Sequence, residues 1–407
     1  MANFENMNII CIIPARGGSK GIPNKNIIDF CGKPLLAWSI LQAKESQYVK
    51  EVYVSSNSEE ILSVAMEYGA RAIPRPDELS TDFATSESAL RHAIDEIETQ
   101  ERRVDLVVFL QVTSPLRASE DIDQAILQLL NKESDSLLSA TVLDDLCAFK
   151  QQGEKLLGIT YDPYNRGRRQ TRDLFYHDNG SIYIFRPNIL RSNNNRLGGK
   201  IEVYEMPFWQ SIEIDEMTDL DIVRFYFKKH FISYWRRKEF LDMLNNGNID
   251  LIVYDFDGVM TNNRVLVLQD GTEAVFVNRG DGLAIGIIRD LGIPQLILST
   301  ETNPVVSARA RKLSLEVIDS SKDKKESLTV YCKNKEISLK NVVYLGNDVN
   351  DHGVMQIVGL PIAPADGHPK ILNSAKMILK SRGGGGVIRE LAELLHRYYK
   401  KGEINGA

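Results

Sequence analysis

The stretch "PARGGSKGIPNKN", residues 14–26, follows directly on the apolar run "IICII" and gathers Arg16, Lys20 and Lys25 around Gly17, Gly18 and Gly21. Glycines let backbone N–H groups approach a ligand closely and shape an anion-binding concavity. Three cations beside such a concavity can neutralise a triphosphate and the charge that develops on a departing pyrophosphate. The stretch has neither the GxxxxGK[ST] of a phosphate-binding NTPase loop nor the GxGxxG of a dinucleotide loop. Taken alone it reads as an anion cradle, with a solvated basic turn as the competing reading.

A second chemical set lies far downstream. "IVYDFDGVMT" puts Asp255 and Asp257 just after an apolar run, and "VVYLGNDVND" puts Asp348 and Asp351 just after another. Two carboxylates two residues apart, joined by a third from a different strand end, suit an octahedral Mg²⁺ site. Between them come Ser299 or Thr300 after "PQLIL", and Lys324 in "SSKDKKE". A further acidic pair is Glu213 and Asp215 in "SIEIDEMTDLDI". Alternate residues of a strand share one face, so both carboxylates can reach one ion.

Positioning these groups requires strands and helices in alternation. "NIICII", "EVYVSS" and "VDLVVFLQ" read as buried strands. "PLLAWSILQAKES" reads as a helix with Pro34 in its first turn, and "SEEILSVAMEYGA" as one running from a serine cap to Gly69. "SEDIDQAILQLLNK" is a third amphipathic segment. Continuous apolar strands separated by such helices imply a parallel sheet covered on both faces. Ligands of these sheets gather beyond the strand C-termini, where the first loop lies.

The pattern changes over residues 223–248. "RFYFKKHFISYWRRKEFLDMLNNGN" mixes aromatic and basic residues and ends in a turn signal. It reads as a helix packing between domains, in preference to an RNA- or membrane-contacting segment. A second strand-led block then runs to residue 398. The expected organisation is residues 1–230, a linker or helix over 231–249, and residues 250–407.

Composition sets the class. A chain of 407 residues with a net charge of −6 predicts two or three soluble α/β domains and no general affinity for nucleic acid. Four scattered cysteines (Cys11, Cys31, Cys147 and Cys332) form no CxxC pair, which fits a reducing compartment without disulfides. No apolar run approaches the length of a membrane span, and no secretory leader is evident. A cytoplasmic location is therefore expected.

Over residues 7–230 the motifs also carry a resemblance. "IIPARGGSKGIPNKN", "RPDELSTDFATSESAL", "FLQVTSPLR", "RRQTRDLFYHDNGSIYIF" and "SIEIDEMTDLDI" occur in the order found in the CMP-sialic acid synthetases. Those enzymes join CTP to a nine-carbon α-keto sugar acid and adopt a Rossmann-like three-layer fold of the nucleotide-diphospho-sugar transferase type. The resemblance implies that Arg16, Ser19, Lys20 and Lys25 hold the CTP phosphates, with Lys25 at the reacting α-phosphate and Asn26 adding a hydrogen bond. It places Arg75 and Ser86 on the cytidine part. Gln111, Thr113 and Ser114 fall on the sugar's hydroxyls and glycerol-like tail, with Arg117 structural or nearby. Arg166, Arg169 and Arg172 offer bidentate partners for the sugar carboxylate; the spacing does not choose among them. Glu213 and Asp215 become Mg²⁺ ligands. Two positions depart from the family pattern: Glu213, where aspartate is commoner, and Val112, where many relatives have proline.

Residues 250–395 resemble the haloacid dehalogenase-like phosphatases, nearest to the subgroup acting on 3-deoxy-octulosonate 8-phosphate, given "VNRGDGLAI" and "GLPIAPADGHPKI". This implies a second Rossmann-like three-layer domain. In it Asp255 is the nucleophile that forms an aspartyl-phosphate, Asp257 the general acid and base, and Asp348 the residue completing a Mg²⁺ site with Asp255 and Asp257. Lys324 and Ser299 hold the phosphoryl group. Relatives commonly carry an arginine within the glycine-rich tail, whereas "SRGGGGVIRE" has Arg382 ahead of its glycines. The combined expectation is a cytidylyltransferase whose second domain dephosphorylates a nonulosonate 9-phosphate, or serves only assembly. The resemblance further implies a homo-oligomer, dimeric through the first domain and tetrameric through the second. N-acetylneuraminate, its deaminated analogue, legionaminate and pseudaminate all remain open as the sugar, and a non-turnover nucleotide-binding module is the other class.

Overall fold

A computed structural model of the chain describes all residues except 1–5, 19–20, 82, 100–102, 144–147, 161, 163, 165–173, 247–248 and 406–407. Ser19, Lys20, Cys147, Arg166, Arg169 and Arg172 lie outside the described residues. The chain divides into two compact units, Met1–Ile232 and Ser233–Ala407.

The first unit is built on a seven-stranded sheet. Its order is Ile201–Glu205, Ser136–Val142, Tyr176–Phe185, Leu106–Leu110, Ile9–Pro14, Glu51–Ser56 and Arg71–Pro74. The Ile9–Pro14 strand lies near the middle because it is apolar on both faces, and Ile9 to Ile13 are all buried. The sheet is not wholly parallel as the alternation suggested. Tyr176–Phe185 runs antiparallel to both of its neighbours. Its pairing with Ser136–Val142 is interrupted by a bulge between Asp178 and Tyr183, and the bulge holds Gly180 at φ +63°.

Helix ends follow local chemistry. Ser58 accepts the Ile61 amide at the start of Glu59–Glu67, and Gly69 ends that helix with φ +80°. Helix Leu35–Glu45 starts one residue after Pro34. Helix Met217–His230 docks through Phe227, whose ring centroid lies 4.6 Å from that of Trp38 in a tilted contact and 5.1 Å from that of Phe30 edge-on. Burying each such aromatic contributes about 1.5–3 kcal/mol.

The second unit has a six-stranded, wholly parallel sheet in the order Glu316–Ile318, Gln295–Leu298, Leu251–Tyr254, Val342–Leu345, Leu360–Ala363, Met377–Ile378. Helix Ile232–Asn246 contributes Phe240 to this unit's core, beside Ile252, Tyr254 and Leu391. A separate two-stranded hairpin, Thr261–Val267 with Glu273–Val277, leaves Val265, Leu266, Val267, Leu268 and Phe276 exposed, Phe276 to 69%. Both units are Rossmann-like α/β folds. Among the described residues, no helix is long and apolar enough to cross a membrane.

Candidate active sites

The glycine-rich loop closes on itself and then reaches across the first unit. Asn26 donates to the carbonyl of Arg16 at 2.8 Å, and the Gly17 amide donates to Asn57 Oδ1 at 3.0 Å. Asn57 in turn donates to Asp77 Oδ1 at 3.0 Å. Lys25 opens a short 3₁₀ turn, Lys25–Ile27, preceded by Asn24 in the left-handed region at φ 52°. From there its ammonium donates to the carbonyl of Ile214 (2.9 Å) and to Asp215 Oδ1 (3.3 Å). Gly21 packs so closely on the same segment that a Cβ there would sit 2.6 Å from the Asp215 carbonyl oxygen. The loop therefore meets the acidic pair directly.

Residues 212–215 are not a strand, contrary to the alternation reading. They follow the 3₁₀ turn Phe208–Ser211 and lie outside any sheet. The Ile214 amide donates to the Thr113 carbonyl at 2.9 Å, and the amides of Asp215 and Glu216 donate to Asp219 Oδ2. Exposure still alternates: Ile214 is buried while Glu213 is half-buried and Asp215 exposed. Burial first, then the charges of Asp215 and Asp178, hold the Glu213 carboxyl above its usual range, against the pull of Lys25.

Gln111 joins this acidic segment, donating to Glu213 Oε2 at 3.4 Å. Gly180 in the bulge sits against both, since a Cβ there would strike the Glu213 carboxylate and come within 2.8 Å of Gln111 Nε2. Ser114 is buried and donates to the Asn179 carbonyl at 3.5 Å. Arg16 donates to the Thr81 carbonyl (3.2 Å) and Arg75 to Ser80 Oγ (2.9 Å). Burial, then the charge of Arg16, lowers the Arg75 pKa. Ser86 stands exposed as the first residue of helix Ser86–Glu98. Asp178 was not singled out from the sequence. It accepts from Tyr183 Oη at 2.8 and 2.9 Å and from the Gly180 amide at 3.0 Å, and its charge reaches Glu213. The only signal for it was the turn-forming "DNG".

In the second unit, Asp255 and Asp257 follow strand Leu251–Tyr254, and Asp348 follows Val342–Leu345. Lys324, itself 2% exposed, lies 2.7 Å from Asp255 Oδ1 and 2.7 Å from Asp351 Oδ1. Burial pulls the Lys324 ammonium down, but the two carboxylates outweigh it and leave its pKa above the ordinary lysine value. Burial and the charge of Asp351 raise the Asp255 pKa well above the usual carboxylate range. The Asn347 amide, turned to satisfy both neighbours, donates to Asp255 Oδ2 (3.0 Å) and to the Asp257 carbonyl (2.8 Å).

Asp257 accepts from Thr261 Oγ1 at 3.2 Å. Its pKa is raised by burial foremost and also by Glu301 and Glu273, while Thr261 and Lys324 pull it down. Ser299 is buried at the end of strand Gln295–Leu298, where its hydroxyl accepts the Glu301 amide at 3.0 Å. Asp348 is exposed and accepts the Val349 amide.

Asp351, noted from the sequence without a role, is the buried anchor of this loop. It accepts Lys324, Tyr344 Oη at 2.6 Å and the amides of Asn347 and Asp348. The glycine tail packs on the turn that follows Asp255 and Asp257. A Cβ on Gly383 would collide with the Gly258 carbonyl, and one on Gly384 would lie 2.5 Å from the Asn262 amide nitrogen.

Both sites offer hard oxygen donors. Among the described residues no group of three or more His, Cys, Asp or Glu stands ready to hold a metal ion. A divalent ion at either site would thus draw part of its shell from ligand oxygens or water, which is how Mg²⁺ is commonly held at phosphates.

Comparison with known proteins agrees with this division. Residues 10–195 match the cytidylyltransferase family and residues 296–391 the haloacid dehalogenase-like hydrolases. The N-acylneuraminate cytidylyltransferase of Oncorhynchus mykiss is 30% identical over 408 residues, covering 98% of this chain and 90% of that protein. The pseudaminic acid cytidylyltransferase of Campylobacter jejuni is 35% identical over 225 residues, covering 54% of this chain and 97% of its own. Among solved structures, a putative haloacid dehalogenase family hydrolase from Streptomyces avermitilis aligns with 36% of this chain and 83% of its own, at 46% identity and a TM-score of 0.35.

Proposed function

The chain belongs to the N-acylneuraminate cytidylyltransferase family, and from that premise we propose which reactions its two sites carry out. It is a cytidylyltransferase with a haloacid dehalogenase-like second unit. In the first unit, the anomeric hydroxyl of a sialic-acid-type sugar attacks the α-phosphorus of CTP. The bond to the bridging oxygen breaks, and pyrophosphate leaves. The contact of Lys25 with residues 214 and 215 carries this reading, because it joins the anion loop to the acidic segment in one site. Lys25 and Arg16 stabilise charge on the triphosphate. Ser19, Lys20 and Asn26 complete the cradle, and Arg75 and Ser86 face the nucleoside. Gln111, Thr113 and Ser114 take the sugar, and one of Arg166, Arg169 and Arg172 takes its carboxylate. Glu213 and Asp215 would hold Mg²⁺, which supplies charge neutralisation of the phosphates. Pyrophosphate release from CTP with a panel of nonulosonic acids tests the assignment and chooses the sugar.

In the second unit, Asp255 attacks the phosphorus of a nonulosonate 9-phosphate. Asp257, whose raised pKa suits an acid, protonates the leaving oxygen and then activates water. Lys324 and Ser299 hold the phosphoryl oxygens, and Asp255, Asp257 and Asp348 would hold Mg²⁺. The buried Asp255–Lys324–Asp351 set supports this activity. Such a charge group is costly to maintain, and a scaffold would be served as well by apolar packing. The exposed apolar hairpin favours an additional role in self-association. Phosphate release from a 9-phosphorylated nonulosonate, absent in Asp255→Asn, tests the activity.

A further inference from the structure

A fully buried guanidinium stands beneath the loop 111–117. Arg117 has no accessible surface. Among the described residues it makes four hydrogen bonds, all to neutral acceptors. Nε donates to Ser181 Oγ (3.0 Å), Nη1 to Ser39 Oγ (3.0 Å) and Gln42 Oε1 (3.2 Å), and Nη2 to the Gln111 carbonyl (2.5 Å). Burial pushes its pKa down to about 10, which still leaves it charged at neutral pH. The carboxylates of Asp121 and Glu213 favour the charge without outweighing the burial; keeping a buried charge with no carboxylate bonded to it is expensive, and packing alone would be met by an apolar side chain of similar volume. The rigid fork of donors is what arginine adds here.

The fork belongs to a larger clamp. Gln42 donates to the carbonyls of Pro115 and Arg117, each at 2.8 Å, and Gln210 donates to that of Leu116 at 2.8 Å. The Thr113 carbonyl accepts the Ile214 amide at 2.9 Å. Thus the carbonyls of Gln111, Thr113, Pro115, Leu116 and Arg117 all have donors, although the loop pairs with no strand. The side chains of Gln111 and Ser114 project from this fixed backbone, the first onto Glu213 and the second onto the Asn179 carbonyl.

We propose that Arg117 is a positioning residue for the sugar-acid side of the site: it ties the Gln111 carbonyl to Ser181 in the bulged strand and to Ser39 and Gln42 in the Leu35–Glu45 helix, so that Gln111, Thr113 and Ser114 meet the sugar in one geometry. The inference rests on reading the loop as the sugar-binding part of the transferase. Because the Arg117 fork itself bonds to none of Arg16, Lys25 or Asn26, its loss acts chiefly on the sugar acid and much less on CTP.

The test uses the full-length chain with Arg117→Lys, which keeps the charge and loses the fork, and Ser181→Ala, which frees only the Nε donor. Thermal melts establish that each variant is folded at the assay temperature. Steady-state kinetics with either substrate saturating should show the KM for the sugar acid rising about tenfold in Arg117→Lys and less in Ser181→Ala, with the KM for CTP nearly unchanged. Equal rises in both KM values would show an unselective distortion of the site, and a fall in kcat alone a loss of active protein; either would overturn the proposal. Two unchanged KM values would overturn it as well. If the unaltered chain turns over no sugar acid with CTP, the functional reading itself fails and takes this inference with it; turnover with an unaltered split defeats the inference alone.

Discussion

The Lys25 ammonium lies 3.3 Å from Asp215 Oδ1, a contact between residues 190 positions apart. The lysine side chain is 14% exposed and its partner's 73%, so the pair sits with the cation inside and the acid at the mouth. Replacing Lys25 removes a cation assigned to the reacting phosphate while sparing the buried core. Lys25→Ala should lower pyrophosphate release by about 10²–10³-fold with an unchanged melting temperature. Near-normal turnover in a coupled pyrophosphate assay would sink the assignment.

Asp255→Asn should abolish phosphate release from a nonulosonate 9-phosphate and leave cytidylyl transfer intact, since the two units have separate cores. Both activities are measured on one preparation. If the unaltered protein releases no more phosphate than the variant, the phosphatase assignment for this substrate fails.

Asp281 gives a pH signature away from either reaction. Its Oδ1 accepts the Arg389 amide at 2.9 Å at the start of helix Val387–Asn405, and its Oδ2 is buried without a partner. Burial holds its pKa above the ordinary value, against backbone amides and Arg309 that pull it down. The folded state therefore binds this proton more tightly than the unfolded one. The stability this contributes is complete below the unfolded aspartate value of about 4 and is lost as pH rises through the raised folded value. Denaturant unfolding at several pH values should show the stability of the native chain falling relative to Asp281→Asn across that window. A widening advantage of aspartate with rising pH would contradict the assignment.

Gly383→Ala should destabilise the second unit by several kcal/mol, on the order expected where backbone must move to admit a Cβ, because that Cβ meets the Gly258 carbonyl. Phosphate release should fall with it, while the first unit's transition in a calorimetric scan stays in place. A variant that melts like the native protein would show the tail to be loosely held.

Phe276→Lys combined with Val267→Lys should shift the protein to a smaller species in sedimentation if the hairpin, whose two residues are 69% and 62% exposed, joins copies of the chain. Cytidylyl transfer should persist. An unchanged sedimentation coefficient would place self-association elsewhere.

Much of this was legible where local chemistry decides the outcome. "NIICII" is apolar at every position and became an interior strand; Ser58 and Gly69 bound their helix as their side chains dictate. The motifs also pointed to the two families that the comparisons show. Direction and distance were less readable. Nothing in the alternation of Tyr176–Phe185 says that it runs antiparallel, and residues 213–215 alternate in exposure without belonging to a sheet. Arg117, Gln42, Asp178 and Asp351 were not assigned their parts because each acts on residues brought near only by folding. Arg117 reaches Ser39, 78 positions earlier, and Lys324 reaches Asp351, 27 positions later.

The glycine tail has a bearing on how the chain is made. Every strand of the first sheet lies between residues 9 and 205 and its last helix ends at His230, so that unit has all its pieces before any strand of the second has left the ribosome. The turn carrying Asp257 and Gly258 finds its packing partner only when Gly383 and Gly384 emerge, about 125 residues later, an interval of roughly 6–25 seconds at ordinary rates of synthesis. Through that interval an exposed apolar hairpin and an unclosed acidic pocket trail a finished transferase. The nascent second unit is therefore the part of this molecule most in need of shelter.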